Sequence, residues 1–113
     1  MTTNGESAMS KLTKDYRESL LEDLQDPEEA AAYLTAALDE GDPAVFLLAL
    51  RNVADAKGMS TVAAQAQLNR ESLYRMLSER GNPQLASLTA LLDALGLRLA
   101  VTMKCSPITP PAP

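Results

Sequence analysis

The chain has 113 residues, of which 46% are hydrophobic and 4% aromatic, so we expect one domain with a core of Leu, Ala, Val and Met. It has no histidine and one cysteine, Cys105, which excludes an internal disulfide, a Cys/His zinc site and the usual histidine base of nucleophilic enzymes. No apolar stretch has membrane-spanning length and no apolar signal region is visible. We therefore expect a soluble cytoplasmic protein without a cofactor.

Charge is distributed unevenly along the chain, whose formal net charge is −5. Residues 1–42 contain eleven acidic and three basic residues, whereas residues 43–113 contain four acidic and seven basic residues. Such asymmetry between halves is typical of a protein with two different partners. A solvated acidic face accounts for the acids alone equally well, so the asymmetry leaves both interpretations open.

The first segments of the chain carry weak structural signals. Residues 1–11 are polar and are predicted to be disordered. The spacing of Leu20, Leu21 and Leu24 predicts a short helix over residues 16–24.

The next helix has clear start and stop signals. Asp26 is a natural N-cap, Pro27 suits the first helical position, and Glu29 occupies the capping-box position. The helix is predicted to end at Gly41. Its expected core face consists of Tyr33, Leu34, Ala37 and Leu38.

The following helix repeats the start signal at Asp42 and Pro43 and has a stop signal at Gly58. It is apolar nearly all round between Ala44 and Leu50. That composition predicts a helix buried on every side, in the centre of the fold.

Two short helices joined by a three-residue turn are predicted next. Ser60 is expected to cap a helix over 61–66, residues 67–69 form the turn, and Asn69 is expected to cap a helix over 70–78. Beneath a buried helix, this arrangement describes a helix-turn-helix. The residues expected to face the core are Leu73, Met76 and Leu77, with Val62, Ala63 and Leu68 before them.

The outward face of the helix over 70–78 is polar and rich in arginine, although the chain is acidic. In the major groove, arginine reads guanine, glutamate accepts from cytosine, and Tyr74 would contact a thymine methyl group or a phosphate. Phosphate contacts are expected at the helix start formed by Ser60 and Thr61 and in the loop with Arg80 and Asn82. The predicted DNA-binding residues are Ser60, Thr61, Asn69, Arg70, Glu71, Ser72, Tyr74, Arg75, Ser78, Arg80 and Asn82. Simple solvation of a surface helix is the competing interpretation, which the turn, caps and core pattern together make less favourable.

The C-terminal part of the chain combines a helix with a possible strand. Leu85, Leu88, Leu92 and Leu95 predict a helix that ends at Gly96, and the alternation in LRLAVTM predicts a strand over 97–103. No second strand is visible, so we expect pairing with another chain. The predicted dimerisation residues are Leu97, Leu99, Val101 and Met103. Folding back onto the domain or pairing with a different partner are the alternatives, and residues 104–113 form a proline-rich tail predicted to be disordered.

These features resemble a known family. Residues 58–101, GMSTVAAQAQLNRESLYRMLSERGNPQLASLTALLDALGLRLAV, are similar to the addiction-module antidote proteins, bacterial antitoxins with a lambda-repressor-like or Cro-like helix-turn-helix. The similarity is most specific at LNRESLYRMLSERGNP and LDALGLRLAV, and it extends over residues 12–103. It implies neutralisation of a co-encoded toxin, typically a small RNA-cleaving protein, and repression of the shared operon through operator binding.

The resemblance also assigns positions within the predicted DNA-binding unit. Its recognition-helix positions are Arg70, Glu71, Ser72, Tyr74 and Arg75. The turn position usually held by glycine is Gln67 here, so we expect a strained backbone or a different turn geometry at that residue. A strand also replaces the fifth helix of the family fold.

We therefore expect a mainly α protein with one lambda-repressor-like domain over 12–103, an acidic N-terminal extension and a C-terminal strand paired across a homodimer. Its expected partners are double-stranded operator DNA, a small basic toxin bound partly by residues 12–42, and a second copy. A stand-alone transcriptional regulator is the alternative, and a neighbouring gene for a small basic protein would separate the two. An enzyme is disfavoured, because Asp26 and Glu29 are better explained as caps and no glycine-rich phosphate loop or nucleophile motif is present.

Overall fold

The structure is a computed structural model and describes residues 15–78 and 80–104. The predicted disorder of residues 1–11, Cys105 and most of the predicted tail lie outside the described residues. The described helices are α1 over 15–23, α2 Pro27–Asp39, α3 Pro43–Lys57, α4 Met59–Ala66, α5 Arg70–Met76 and α6 Leu85–Ala94. The prediction of a mainly helical protein is therefore confirmed.

None of these helices has both the length and the apolar character needed to cross a membrane.

The N-terminal ends of α2 and α3 carry the predicted caps. The carboxylate of Asp26 accepts a hydrogen bond of 3.0 Å from the N–H of Glu28, and Asp42 caps α3 in the same way. Glu29 does not close the predicted capping box, because the N–H of Asp26 donates to the carbonyl oxygen of Asp23 instead.

A single residue, Gly58, separates α3 from α4. Its φ of +101° lies in a region that glycine adopts readily and other residues rarely do. Because α4 already begins at Met59, Ser60 lies within the first turn of the helix. The prediction of Ser60 as N-cap is therefore wrong.

The core is formed where α3, α4, α5 and α6 meet. Burying each of its large aliphatic side chains contributes about 1.5–3 kcal/mol. The fully buried side chains are Leu50, Val53, Val62, Leu73, Leu77, Leu91 and Leu95. Ala30, Leu34 and Ala37 extend this core along one face of α2.

The helix α3 is not covered on every side, which corrects the prediction of complete burial. Leu47 and Leu50 are buried, but Leu48 is 59% exposed and Val45 lies beside it on the exposed side. Val45 and Leu48 line two open grooves, one between α3 and α2 and one between α3 and the end of α5. An apolar sequence therefore predicted the helix correctly but not its environment.

Two other leucines also differ from the predicted core faces. Leu38 is exposed at the end of α2, whose buried face consists of Ala30, Leu34 and Ala37. Leu85 is the first residue of α6 and is 68% exposed, while Leu91 fills the core position. In both cases the leucine lies at a helix end, where no neighbouring helix covers it.

The C-terminal segment does not form the predicted strand within the single chain, since no described residue is in a β-strand. Leu97 is half-buried, but Val101 and Met103 are 99% and 83% exposed. A strand requires a partner for its backbone hydrogen bonds, and the described chain offers none. The segment instead lines an open groove with Leu34 and Leu38 of α2.

Candidate nucleic-acid interface

The predicted pair of short helices is present, and residues 67–69 connect α4 to α5. Gln67 has φ +59° and ψ +42°, and it is the one described residue other than glycine with a positive φ. The N–H of Leu68 donates to the carbonyl oxygen of Ala63 at 2.9 Å and closes the turn. The expected strain at Gln67 is therefore confirmed, at a cost of about 1–2 kcal/mol for a residue with a side chain.

Asn69 fixes the start of α5. Its side-chain Oδ1 accepts a hydrogen bond of 2.7 Å from the N–H of Ser72, which confirms its predicted role as N-cap. The helix ends at Met76, two residues before the predicted end, and Leu77 is its C-cap. The hydroxyl of Ser78 donates to the carbonyl oxygen of Arg75 at 2.9 Å, so this side chain closes the last turn of α5.

The two sides of α5 differ as predicted, with one exception. Leu73 and Leu77 are buried and Met76 is half-buried, so the predicted core side is confirmed. The exposed side carries Arg70, Glu71 and Arg75, with Ser72 half-buried next to them. Tyr74 was predicted to point outward, but it is half-buried and packs against the hydrophobic core.

Tyr74 brings together two arginines from different helices. The guanidinium carbon of Arg51, in α3, lies 5.2 Å from the centroid of the Tyr74 ring. That of Arg70, at the start of α5, lies 5.6 Å from the same centroid. Both distances are within the range of cation–π attraction. Sequence reasoning missed Arg51, because no periodicity within α3 relates it to a ring in α5.

The remaining predicted residues lie around the ends of the two helices. Ser60 and Thr61 are exposed in the first turn of α4, where the first backbone N–H with a helical partner is that of Val62. Arg80 and Asn82 are exposed in the loop after α5. These residues therefore lie outside α5, in the first turn of α4 and in the loop that follows α5.

The loop after α5 packs tightly against the end of that helix. A Cβ atom added to Gly81 would collide with the carbonyl group of Met76, so glycine is required for this close approach. The contact fixes Arg80 beside the C-terminal end of α5, at the opposite end from Arg70.

The exposed arginines at this surface are not neutralised by described carboxylates. Among the described residues, an ion pair joins Arg17 to Asp55, and it lies on another part of the protein. Over residues 15–78 and 80–104, no three His, Cys, Asp or Glu side chains cluster in a way that would hold a metal ion. The surface is therefore equipped to bind an anion through arginine, backbone N–H and hydroxyl groups.

Comparison with protein families gives a match over most of the chain. A family model described as "Probable addiction module antidote protein" matches residues 14–103. The chain belongs to this family of probable antidote proteins. The match includes the six helices of the described residues, and it confirms the resemblance recognised in the sequence.

A relative of this chain occurs in Haemophilus influenzae (strain ATCC 51907 / DSM 11121 / KW20 / Rd). That uncharacterized protein is 37% identical over 93 residues, which are 82% of this chain and 94% of the relative. The two chains therefore correspond over nearly the whole relative. No solved structure matches this chain.

Proposed function

We propose that this protein neutralises a small basic toxin and represses its own operon by binding operator DNA through α4 and α5. The observation that carries the DNA-binding part is the exposed side of α5, where Arg70 and Arg75 flank Glu71 on a helix capped by Asn69. A helix presented in this way supplies donors for guanine and an acceptor for cytosine. The proposal involves binding only, without a catalytic step.

In this proposal α5 enters the major groove and the neighbouring segments hold the phosphate backbone. Ser60 and Thr61 contribute hydroxyl groups and free backbone N–H groups at the start of α4. Arg80 and Asn82 contact a phosphate near the other end of α5. Phosphates are thus contacted on both sides of the bases that α5 reads, and this fixes its register.

The protein acts on DNA as a homodimer, joined through its C-terminal segments. Leu97, Leu99, Val101 and Met103 alternate with polar or small residues, and the last two are almost fully exposed in the single chain. Two copies related by a two-fold axis would satisfy both sets of backbone groups as an antiparallel pair. The same axis would place two α5 helices about one turn of DNA apart, on a palindromic operator.

The toxin is bound, at least in part, by the acidic N-terminal helices. Residues 15–42 contain ten acidic side chains, all exposed, and one basic side chain, Arg17. Arg17 is engaged by Asp55 of α3 at 3.0 Å, so it does not neutralise the acids of its own segment. Asp15, Glu18 and Glu22 follow one another at helical spacing along α1 and line a shallow depression. A basic protein complements this surface.

The DNA-binding proposal is tested by mobility-shift titration with the duplex that precedes the gene, against a scrambled duplex of the same composition. We expect preference for the upstream duplex and an affinity that falls steeply with salt, with a log–log slope of about −0.9 for each phosphate contacted. Equal affinity for both duplexes would refute sequence-specific operator binding.

The toxin-binding proposal is tested by co-expressing the protein with the product of the adjacent gene. We expect a co-purifying small basic protein, and we expect Glu18→Lys to weaken its binding. Asp93→Lys is the matched control, since it makes the same charge change at an exposed position of α6. If no partner co-purifies and no neighbouring gene encodes a small basic protein, the protein is a stand-alone regulator instead.

A further inference from the structure

The shared ring of Tyr74 gives Arg51 a place in the proposed DNA-binding surface. Arg51 lies on α3, outside the two helices that form the predicted DNA-binding unit, and its side chain is half-buried. It also lines the groove between α3 and the end of α5, beside Leu48 and Leu77. Arg70 lies at the exposed first position of α5.

We infer that Arg51 is a positioning residue for operator recognition, which acts through Tyr74 on Arg70. The inference rests on the proposed DNA-binding function and extends it to a residue outside α4 and α5. Arg51 attracts the Tyr74 ring to α3, and the ring in turn holds the guanidinium of Arg70 in one orientation. Arg70 is therefore ordered before DNA arrives.

This arrangement matters because a free arginine at a helix start has many rotamers. Ordering such a side chain during binding costs free energy, and a side chain that is already held against a ring avoids most of that cost. Arg70 is therefore available to the DNA at a smaller entropic cost than a freely rotating arginine would be.

The half-buried position of Arg51 explains why it acts indirectly. Arg70 and Arg75 are exposed on α5, whereas the guanidinium of Arg51 is close to a ring that itself packs on the core. Tyr74 is therefore the link between the two helices. Removing the ring should abolish the effect of Arg51, and this dependence distinguishes a positioning role from a direct contact.

The test compares Arg51→Met, which keeps an unbranched apolar side chain, with Lys57→Met as a matched loss of one cation on α3. We expect Arg51→Met to lower operator affinity about three- to tenfold, the size of losing the preordering of one long side chain. The salt slope should stay unchanged, because no phosphate contact is lost. Base preference should weaken at the same operator position as in Arg70→Ala.

Double variants decide the route of the effect. In a protein that already carries Tyr74→Leu, Arg51→Met should cause no further loss of operator affinity. If the two residues contacted DNA independently, their free-energy losses would add. Tyr74→Phe keeps the ring and should weaken binding less than Tyr74→Leu does. Arg51→Lys should restore part of the affinity, because a lysine ammonium is also attracted to the ring. Thermal denaturation of every variant separates misfolding from weakened binding.

Three results would overturn the inference. In the first, Arg51→Met and Lys57→Met have the same operator affinity. In the second, the affinity loss of Arg51→Met adds to that of Tyr74→Leu, and the salt slope falls by about one phosphate contact. In the third, Tyr74→Phe binds the operator as weakly as Tyr74→Leu does. NMR of the free protein gives a readout independent of DNA, since the ring current of Tyr74 should shift the side-chain protons of Arg51 and Arg70. If the protein without substitutions shows these shifts but does not bind the upstream duplex in preference to the scrambled one, the proposed function itself is refuted.

Discussion

Arg17 in α1 donates a hydrogen bond of 3.1 Å to the side-chain oxygen of Asn52 in α3, which is 8% exposed. The amide nitrogen of Asn52 donates to the hydroxyl of Tyr33 in α2 at 2.9 Å. One buried side chain therefore connects the acidic N-terminal helices to the central helix. Its polar atoms are satisfied only while all three helices are in place.

The first prediction concerns this connection. Asn52→Ala should lower the free energy of unfolding by about 1–3 kcal/mol, because it removes two bonds and leaves the partners without their acceptor and donor. Tyr33→Phe removes one of those bonds and should cost about 0.5–1.5 kcal/mol. Urea denaturation followed by circular dichroism measures both values. Equal stability of Asn52→Ala and the unchanged protein would show that the network does not hold α1 and α2 on the core.

The second prediction concerns the strained turn. Gln67→Gly should raise the free energy of unfolding by about 0.5 kcal/mol, since relief of the left-handed backbone exceeds the added entropy of the unfolded chain. Gln67→Ala is the control, because alanine also carries a Cβ and should bring no gain. Thermal denaturation compares the two. A destabilised glycine variant would mean that the side chain of Gln67 contributes more than its backbone strain costs.

The third prediction concerns the cap of α5. Asn69→Ala should cost about 1 kcal/mol of stability, because the N–H of Ser72 loses its acceptor. Asn69→Asp keeps an acceptor and should restore most of that loss. Hydrogen exchange at Ser72 reports on the cap directly, and an amide equally protected in the alanine variant would contradict the assignment.

Local signals allowed much of this fold to be predicted. Asp42 and Asn69 are read correctly as caps because a cap depends on residues two or three positions away. The strain at Gln67 was expected from the family resemblance, in which glycine usually holds this turn position. The single-domain boundaries at 12 and 103 remain a prediction.

What the sequence did not predict depends on distant contacts. Leu48 has the same apolar character as Leu47, and only the placement of α2 and α5 shows that it is exposed. Arg51 could not be linked to Tyr74, since the two residues meet only when α3 packs on α5. The segment 97–103 shows the same limit, because alternation indicates a strand but does not supply its partner.

The fourth prediction separates base contacts from phosphate contacts in the proposed complex. Arg75→Ala should cost about 1–3 kcal/mol on the operator and relax specificity at one position, as expected for an exposed arginine on the recognition helix. Arg80→Ala should weaken binding to every sequence alike, because a phosphate carries no sequence information. Mobility-shift titrations with single-base operator variants distinguish these outcomes. Unaltered operator affinity in the double variant Arg70→Ala and Arg75→Ala would contradict the assignment of α5.

The last prediction concerns the proposed dimer. Proline has no backbone N–H, so Ala100→Pro should break antiparallel pairing if that N–H faces the partner, and Leu99→Pro should break it in the other register. Ala100→Ser is the control, since it keeps the N–H at the same exposed position. We expect at least one proline variant to sediment as a monomer. Its operator affinity should fall by about a hundredfold or more, because two linked α5 helices no longer bind together. The proposed pairing of the segment with the exposed Val101 and Met103 is ruled out if the protein without substitutions is monomeric at micromolar concentration. It is also ruled out if both proline variants remain dimers.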